Sequence, residues 1–354
     1  MAAGGRGRYC YREVVPFAAM VLVECANVGN STLFKAASDK GLSYIVFVVY
    51  SFGISAIALL PLAFLFNRKA QLPPFSFALV GRIFILAVLG FTAQMLGYKG
   101  IQYSSPTLSS AISNLTPAFT FALAIIFRME KVVLGSLHTQ AKILGTVVSI
   151  SGALVVVLYE GPAVIKNSSQ STSLNQSLGS SQSGWALGGL LLTLDYLVLS
   201  IWYIIQAQTI RMYPAEFLVV FLYNTSVTLI SAPVCYFLEP DLKAWSISTE
   251  IMLIALLYAA VVSSAFGTVV HTWGLNVKGP VYVALFRPLS IAIAAILGVL
   301  FLGDRLYLGS VIGAILIAAG FYVVLWGKAQ EEISEDWGVG SIESPAPENA
   351  PLLQ

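Results

Sequence analysis

Four ionisable side chains stand in stretches that are otherwise almost free of charge: Glu24 in Val14–Ala36, Asp195 in Trp185–Ile205, His271 in Ile251–Trp273 and Arg287 in Val281–Leu302. A carboxylate removed from water can hold an ammonium group or take up a proton. A guanidinium can clamp a carboxylate through two hydrogen bonds, or it can pair permanently with Glu24 or Asp195. An imidazole can relay a proton or serve as a hydrogen-bonded structural group. Spacings of three and four put Glu24, Asn27 and Ser31 on one helical face. Gln94 and Tyr98, and then Asn114 and Thr116 beside Pro117, are further polar candidates, because a proline within a helix frees a carbonyl. Lys35 closes the first stretch and reads as a snorkelling side chain.

The rest of the chain explains why so few charges matter. Among 354 residues there are 19 Lys and Arg and 17 Asp and Glu, so charged residues are 10%, against about a quarter in soluble domains. The apolar share is 57%. This balance excludes a disordered chain, a nucleic-acid-binding module and an ordinary soluble enzyme. Three cysteines form no CxxC spacing, and His138 and His271 lie far apart, so neither metal nor cofactor is expected.

A membrane-crossing helix needs about 20 apolar residues. Ten stretches qualify: Val14–Ala36, Ser43–Phe66, Ile83–Ile101, Thr107–Phe127, Ile143–Tyr159, Trp185–Ile205, Phe217–Phe237, Ile251–Trp273, Val281–Leu302 and Leu306–Trp326. Strands of a membrane barrel would be about ten residues with alternating polarity, which these are not. The first stretch is too long and too polar for a cleaved signal peptide. With a cytosolic N-terminus, twelve Lys and Arg fall on the inner side, Lys142 among them, and six on the outer, which predicts that both ends are cytosolic. The loop Glu160–Ser183 is rich in Ser, Asn and Gln, reads as a flexible linker and holds sequons at Asn167 and Asn175 on the non-cytosolic side. The sequons at Asn30, Asn114 and Asn224 fall inside predicted helices. Residues 328–354 carry six acids and three prolines and are expected to be a disordered cytosolic tail.

The two halves repeat. An offset of 174 carries Pro106 onto Pro280, Glu130-Lys131 onto Asp304-Arg305 and Gly100 onto Gly274; an offset of 168 carries Gly145 and Gly152 onto Gly313 and Gly320. An offset of 171 carries Glu24 onto Asp195, a matched carboxylate pair. Five spans per copy invert the second copy relative to the first, an architecture that places a solute site at the midplane and permits alternating access.

Longer stretches carry a resemblance. They include Ser105-Pro106-Thr107, Asn114-Leu115-Thr116-Pro117 through Phe121, Phe127-Arg128-Met129-Glu130-Lys131, Gly279-Pro280-Val281, Phe286-Arg287-Pro288-Leu289-Ser290 and Leu325-Trp326-Gly327-Lys328. Over about Pro16 to Lys328 the chain resembles the plant nodulin-like, Walls-Are-Thin-related proteins of the EamA branch of the drug/metabolite transporter superfamily. The resemblance implies an all-α membrane protein with ten transmembrane helices in two inverted five-helix repeats. It divides the chain into a cytosolic segment 1–13, repeat 1 over 14–159, a loop over 160–184, repeat 2 over 185–327 and the tail. It further implies a transporter of amino acids, auxin or related metabolites, not an enzyme. Its partners are a small-molecule solute and the lipid bilayer, and a homodimer through the fifth and tenth helices. The membrane is the plasma membrane or, from the acidic dileucine ending Glu348 to Leu353, the vacuolar membrane. The chain departs from many relatives at Glu24, where they have Gln, and at Ser51 after Tyr50, where they have Arg. An uncoupled channel and a membrane-embedded enzyme are the rival readings.

Overall fold

A computed structural model describes residues 14–67, 76–104, 106–129, 136–158, 163–165, 182–297 and 306–308, with most of 312–330. The architecture is almost wholly helical. Helix α1 spans Val15–Ser38, α2 Tyr44–Asn67 and α3 Phe77–Tyr103. A broken helix follows, made of α4 (Pro106–Ile112), a 3-10 turn Ser113–Leu115 and α5 (Thr116–Ile126). Next come α6 (Leu137–Leu158), a short strand β1 (Ala163–Ile165), α7 (Gln182–Met212) and α8 (Glu216–Leu238). Helix α9 (Glu250–Leu257) runs through a π-helical stretch, Tyr258–Gly267, into α10 (Thr268–Val277). A second broken helix consists of α11 (Pro280–Leu285) and α12 (Leu289–Leu297), and β2 (Leu306–Tyr307) precedes helical residues between 308 and 327. Seven helices among the described residues are long and apolar enough to cross a membrane.

Local chemistry fixes the joints. The Ser76 hydroxyl accepts the Leu79 N–H at 3.2 Å and so caps α3. At the end of α1, Leu42 N–H reaches Ala37 O at 3.1 Å and Gly41 N–H reaches Ser38 O at 2.9 Å, a Schellman closure. It puts Gly41 at φ 100°, a conformation that suits glycine. Gly279, at φ 84°, turns the chain into Pro280, which opens α11 where a missing N–H costs nothing.

The helices differ from the sequence expectation in ways that polar satisfaction explains. Helix α3 starts six residues before Ile83, at its Ser76 cap, and α7 runs on to Met212. Leu306 does not open a helix. It pairs with Ile165, and Tyr307 with Ala163, in an antiparallel ribbon that satisfies backbone groups beyond two helix ends. The ribbon's first strand, Ala163–Ile165, falls within the stretch 160–183. The sequons at Asn167 and Asn175, the tail apart from Gln330, and the pairs Glu130-Lys131 and Asp304-Arg305 lie outside the described residues. Lys142 is not in a loop: it lies within α6, 3% exposed, with its ammonium 6.0 Å from the Phe121 ring centroid.

The most extensive pairing joins α3 and α7, antiparallel, with Gly100 against Leu192 and Gly188 against Ser104. Helix α2 packs on α8 in the same manner, and Asn224 of α8 donates to Ser55 Oγ at 2.7 Å and to Ser264 O at 3.1 Å in the π stretch. Three elements therefore meet on one buried amide. Asn224→Ala is expected to lower stability by about 1 kcal/mol, within the range of interhelical hydrogen bonds in membranes. Thermal unfolding in detergent measures it. Large apolar side chains such as Phe64, Phe77, Leu229 and Phe237 face outward, a surface that only lipid covers favourably.

Candidate functional site

Glu24 lies near the middle of α1 with its carboxylate fully enclosed. Such a charge costs about 2.5–3.5 kcal/mol at mid-bilayer on insertion scales, so its partners matter. Arg287 supplies the first. Its Nη1 lies 3.6 Å from Glu24 Oε2, and the arginine side chain is 11% exposed. Arg287 occupies the gap between α11 and α12. There Pro288 has no N–H to donate, and the backbone closes through three-residue turns: Arg287 N to Ala284 O at 3.1 Å and Ser290 N to Arg287 O at 3.0 Å.

His271 of α10 stands on the other side of the carboxylate, with Nε2 3.9 Å from Glu24 Oε1. Helix α10 packs on both α1 and α7. From α7, Tyr203 completes the group: Arg287 Nε and Nη2 both donate to its hydroxyl, at 3.2 and 2.8 Å. Its ring meets the His271 imidazole edge-on at 5.7 Å. An acid, a guanidinium, an imidazole and a phenol from four separate elements thus converge in one enclosed place. No donor lies within 3.5 Å of either Glu24 carboxylate oxygen, and the Asn27 amide, one turn along α1, bears on the carboxylate from beyond that distance. The arrangement can exchange its long ionic contacts for shorter ones to a polar solute.

Asp195 sits elsewhere on α7. Its carboxylate rests against Gly97 of α3, so closely that a Cβ on that glycine would lie 2.6 Å from Oδ2. Arg287 acts electrostatically on both acids, but no ion pair within 4 Å joins it to Asp195. The two matched carboxylates are therefore distinguished: one is paired, the other lodged in a glycine notch.

The remaining sequence candidates fall into two groups. Ser31 donates to Asn27 O at 3.1 Å within its own helix. Tyr98 accepts from Asn30 Nδ2 at 2.9 Å and packs against Phe34 and Phe47, with ring centroids 4.4 and 5.0 Å away. Gln94 is half-buried on α3, one turn before Tyr98. Asn114 and Thr116 are buried at the first helix break, where Asn114 donates to Ser110 O at 3.2 Å and Thr116 Oγ1 has no hydrogen bond. The two breaks touch: Ser113 and Ser290 hydroxyls lie 3.1 Å apart. Sequence reasoning missed Tyr203. The available signal was its place eight residues after Asp195, two turns along the same helix.

The EamA-like transporter family model matches residues 19–158 and again residues 186–326. WAT1-related protein At5g40240 from Arabidopsis thaliana is 54% identical over 343 residues, 96% of this chain and 93% of that protein. WAT1-related proteins At4g15540 and At3g28050 from the same plant are 52% and 48% identical, over 92% and 98% of this chain and 91% and 97% of their own lengths. A solved crystal structure superposes with a TM-score of 0.60 at 15% identity, over 87% of this chain and 98% of its own. That likeness speaks for the fold alone.

Proposed function

The chain belongs to the EamA-like transporter family, whose members are membrane transporters and not enzymes, and from that premise we propose that it moves small organic metabolites by alternating access. The solutes are carboxylate-bearing compounds, amino acids or auxin among them, and the carrier is a secondary transporter or facilitator. The observation that carries this reading is the enclosed contact of Glu24 with Arg287, flanked by Tyr203 and His271. A solute carboxylate would take the guanidinium. A solute ammonium would take Glu24 or Asp195, with Asn27, Gln94, Asn114 and Thr116 as polar lining. Glu24, Asp195 and His271 are the groups through which a proton would be coupled. A continuous pore would leave these charges wetted, whereas Glu24 is enclosed.

The architecture in this reading is ten helices in two inverted repeats, over 14–159 and 185–327, with a non-cytosolic loop at 160–184 and cytosolic ends at 1–13 and 328–354. Three observations support it: the family model matches twice, each matched segment holds a Pro-initiated broken helix, and α6 runs antiparallel to the helical residues 318–327. The protein is integral to the plasma or vacuolar membrane. Gly145 and Gly320 face one another within the chain, so a homodimer through this region would use the outward Leu144, Val147, Ile315 and Tyr322.

Uptake and efflux of labelled amino acids and of indole-3-acetate in oocytes, at two external pH values, test the reading. Glu24→Gln is expected to cut transport about tenfold or more, as when charge-assisted hydrogen bonds are lost. Asp195→Asn is expected to flatten the pH response. Transport by both variants at the unmutated level and pH response would defeat the assignment of the carboxylates. Failure of every organic solute to move would defeat the transporter reading for this chain.

A further inference from the structure

The Nε–Nη2 edge of a guanidinium is the fork that a carboxylate fills with two oxygens. In Arg287 both donors of that edge converge on one neutral atom, the Tyr203 hydroxyl, at 3.2 and 2.8 Å. A hydroxyl oxygen has two lone pairs and can accept both. The third nitrogen, Nη1, faces Glu24 at 3.6 Å. Tyr203 is fully buried, its ring held edge-on by His271 and by Trp202 at 5.7 and 5.8 Å. The guanidinium is therefore matched on two edges by the chain's own side chains while enclosed.

That matching bears on how the carrier returns after delivering its solute. Enclosing an unmatched guanidinium is strongly unfavourable, and breaking a buried pair leaves a charge uncompensated. A carrier whose cationic site is matched only by solute therefore closes only when loaded, and it exchanges one solute for another. Here the closed arrangement is matched internally. We propose that Tyr203 is a built-in stand-in for the solute carboxylate on Arg287, which lets the protein close and reorient unloaded, so that it carries net flux and is not restricted to exchange. Tyr203 is then a positioning residue of the transport cycle. An arriving carboxylate displaces its hydroxyl from the fork, and departure of the solute lets it return. The inference rests on the transporter reading above, and the two can be told apart by experiment.

The full chain, purified and reconstituted in liposomes, is loaded with a mixture of the carbon-14-labelled amino acids. Release is followed into buffer without amino acids and into buffer with the same mixture unlabelled. The unmutated protein is expected to release label in both cases at rates within about threefold of each other, a barrier difference well under that of a tenfold change. Tyr203→Phe keeps the ring and removes the acceptor. It is expected to slow release into amino-acid-free buffer about tenfold, the scale of a lost charge-assisted hydrogen bond, and to slow exchange by a clearly smaller factor. A purely packing role for Tyr203 would lower both rates together, and that result overturns the proposal. Release by the unmutated protein only in exchange overturns it too while leaving the transporter reading intact, and this arm stands even if the variant does not fold. No release in either mode removes amino acids as the solute class and the inference with them.

Discussion

Arg287→Gln is expected to abolish solute transport and to destabilise the protein by about 3–5 kcal/mol, the cost of removing one partner of a buried ion pair. The reason is local. Glu24 is fully enclosed with no donor within 3.5 Å of its oxygens, so Arg287 at 3.6 Å is the cation that balances it. Glutamine is shorter than arginine by two bonds and neutral, so it leaves the carboxylate uncompensated. The same change strips the Tyr203 hydroxyl of both donors. The double variant Glu24→Gln/Arg287→Gln removes both charges together and is expected to recover most of the lost stability, because replacing a buried pair as a unit is often nearly neutral. Transport should not recover, since the charges themselves are what a solute would engage. Melting temperatures in detergent and uptake, measured on the three proteins, give the answer. A single variant as stable as the unmutated protein would mean that Glu24 is carried without its arginine.

The second large effect is expected where backbones meet. Helix α6 and the helical residues 318–327 touch at Gly145 and Gly320. A Cβ on Gly145 would lie 2.5 Å from Gly320 O, and one on Gly320 would lie 2.5 Å from Gly145 O and 2.6 Å from Ser149 N. These obstacles are main-chain atoms, so no rotamer change relieves them. Gly145→Leu or Gly320→Leu is expected to cost about 3 kcal/mol, the upper end of overpacking in a well-packed interior. Folded yield should fall accordingly. Gly53→Ala is the contrast. Its new Cβ would meet only a Thr228 methyl, at an ordinary 3.6 Å, and its melting temperature should match that of the unmutated protein. Equal tolerance of all three substitutions would refute the close approach of these helices.

Much of this molecule could be read from residue types alone, because the bilayer restricts what a charge or a proline can do. Glu24 and Arg287 stood out as charges in apolar stretches, and ion pairing was one of the two roles weighed for the arginine. The helix breaks lie beside Pro117 and Pro288, whereas Pro61 and Pro233 sit inside continuous helices, so proline alone did not locate the breaks. The parts that stayed illegible carry no such penalty. Tyr203 looks like any aromatic of a buried helix until Arg287 is placed beside it. Lys142 read as a loop residue because it precedes an apolar run, yet its long stem lets it lie within α6 against Phe121. Asp195 matched Glu24 by repeat offset, but the match could not reveal that Gly97 opens a recess for one carboxylate and that Arg287 pairs with the other.

The ten π-helical residues Tyr258–Gly267 have a bearing on how this chain tolerates change in length. Hydrogen bonds there span one residue more than in an α-helix, so the stretch accommodates extra chain without breaking the rod. A one-residue deletion between 258 and 267 can be taken up by rewinding a wide turn into a standard one, holding α9 and α10 in place. The same deletion in α1, which has no such slack, would rotate Asn27 and Asn30 by about 100° relative to Glu24 if made between them, one residue's share of an α-helical turn.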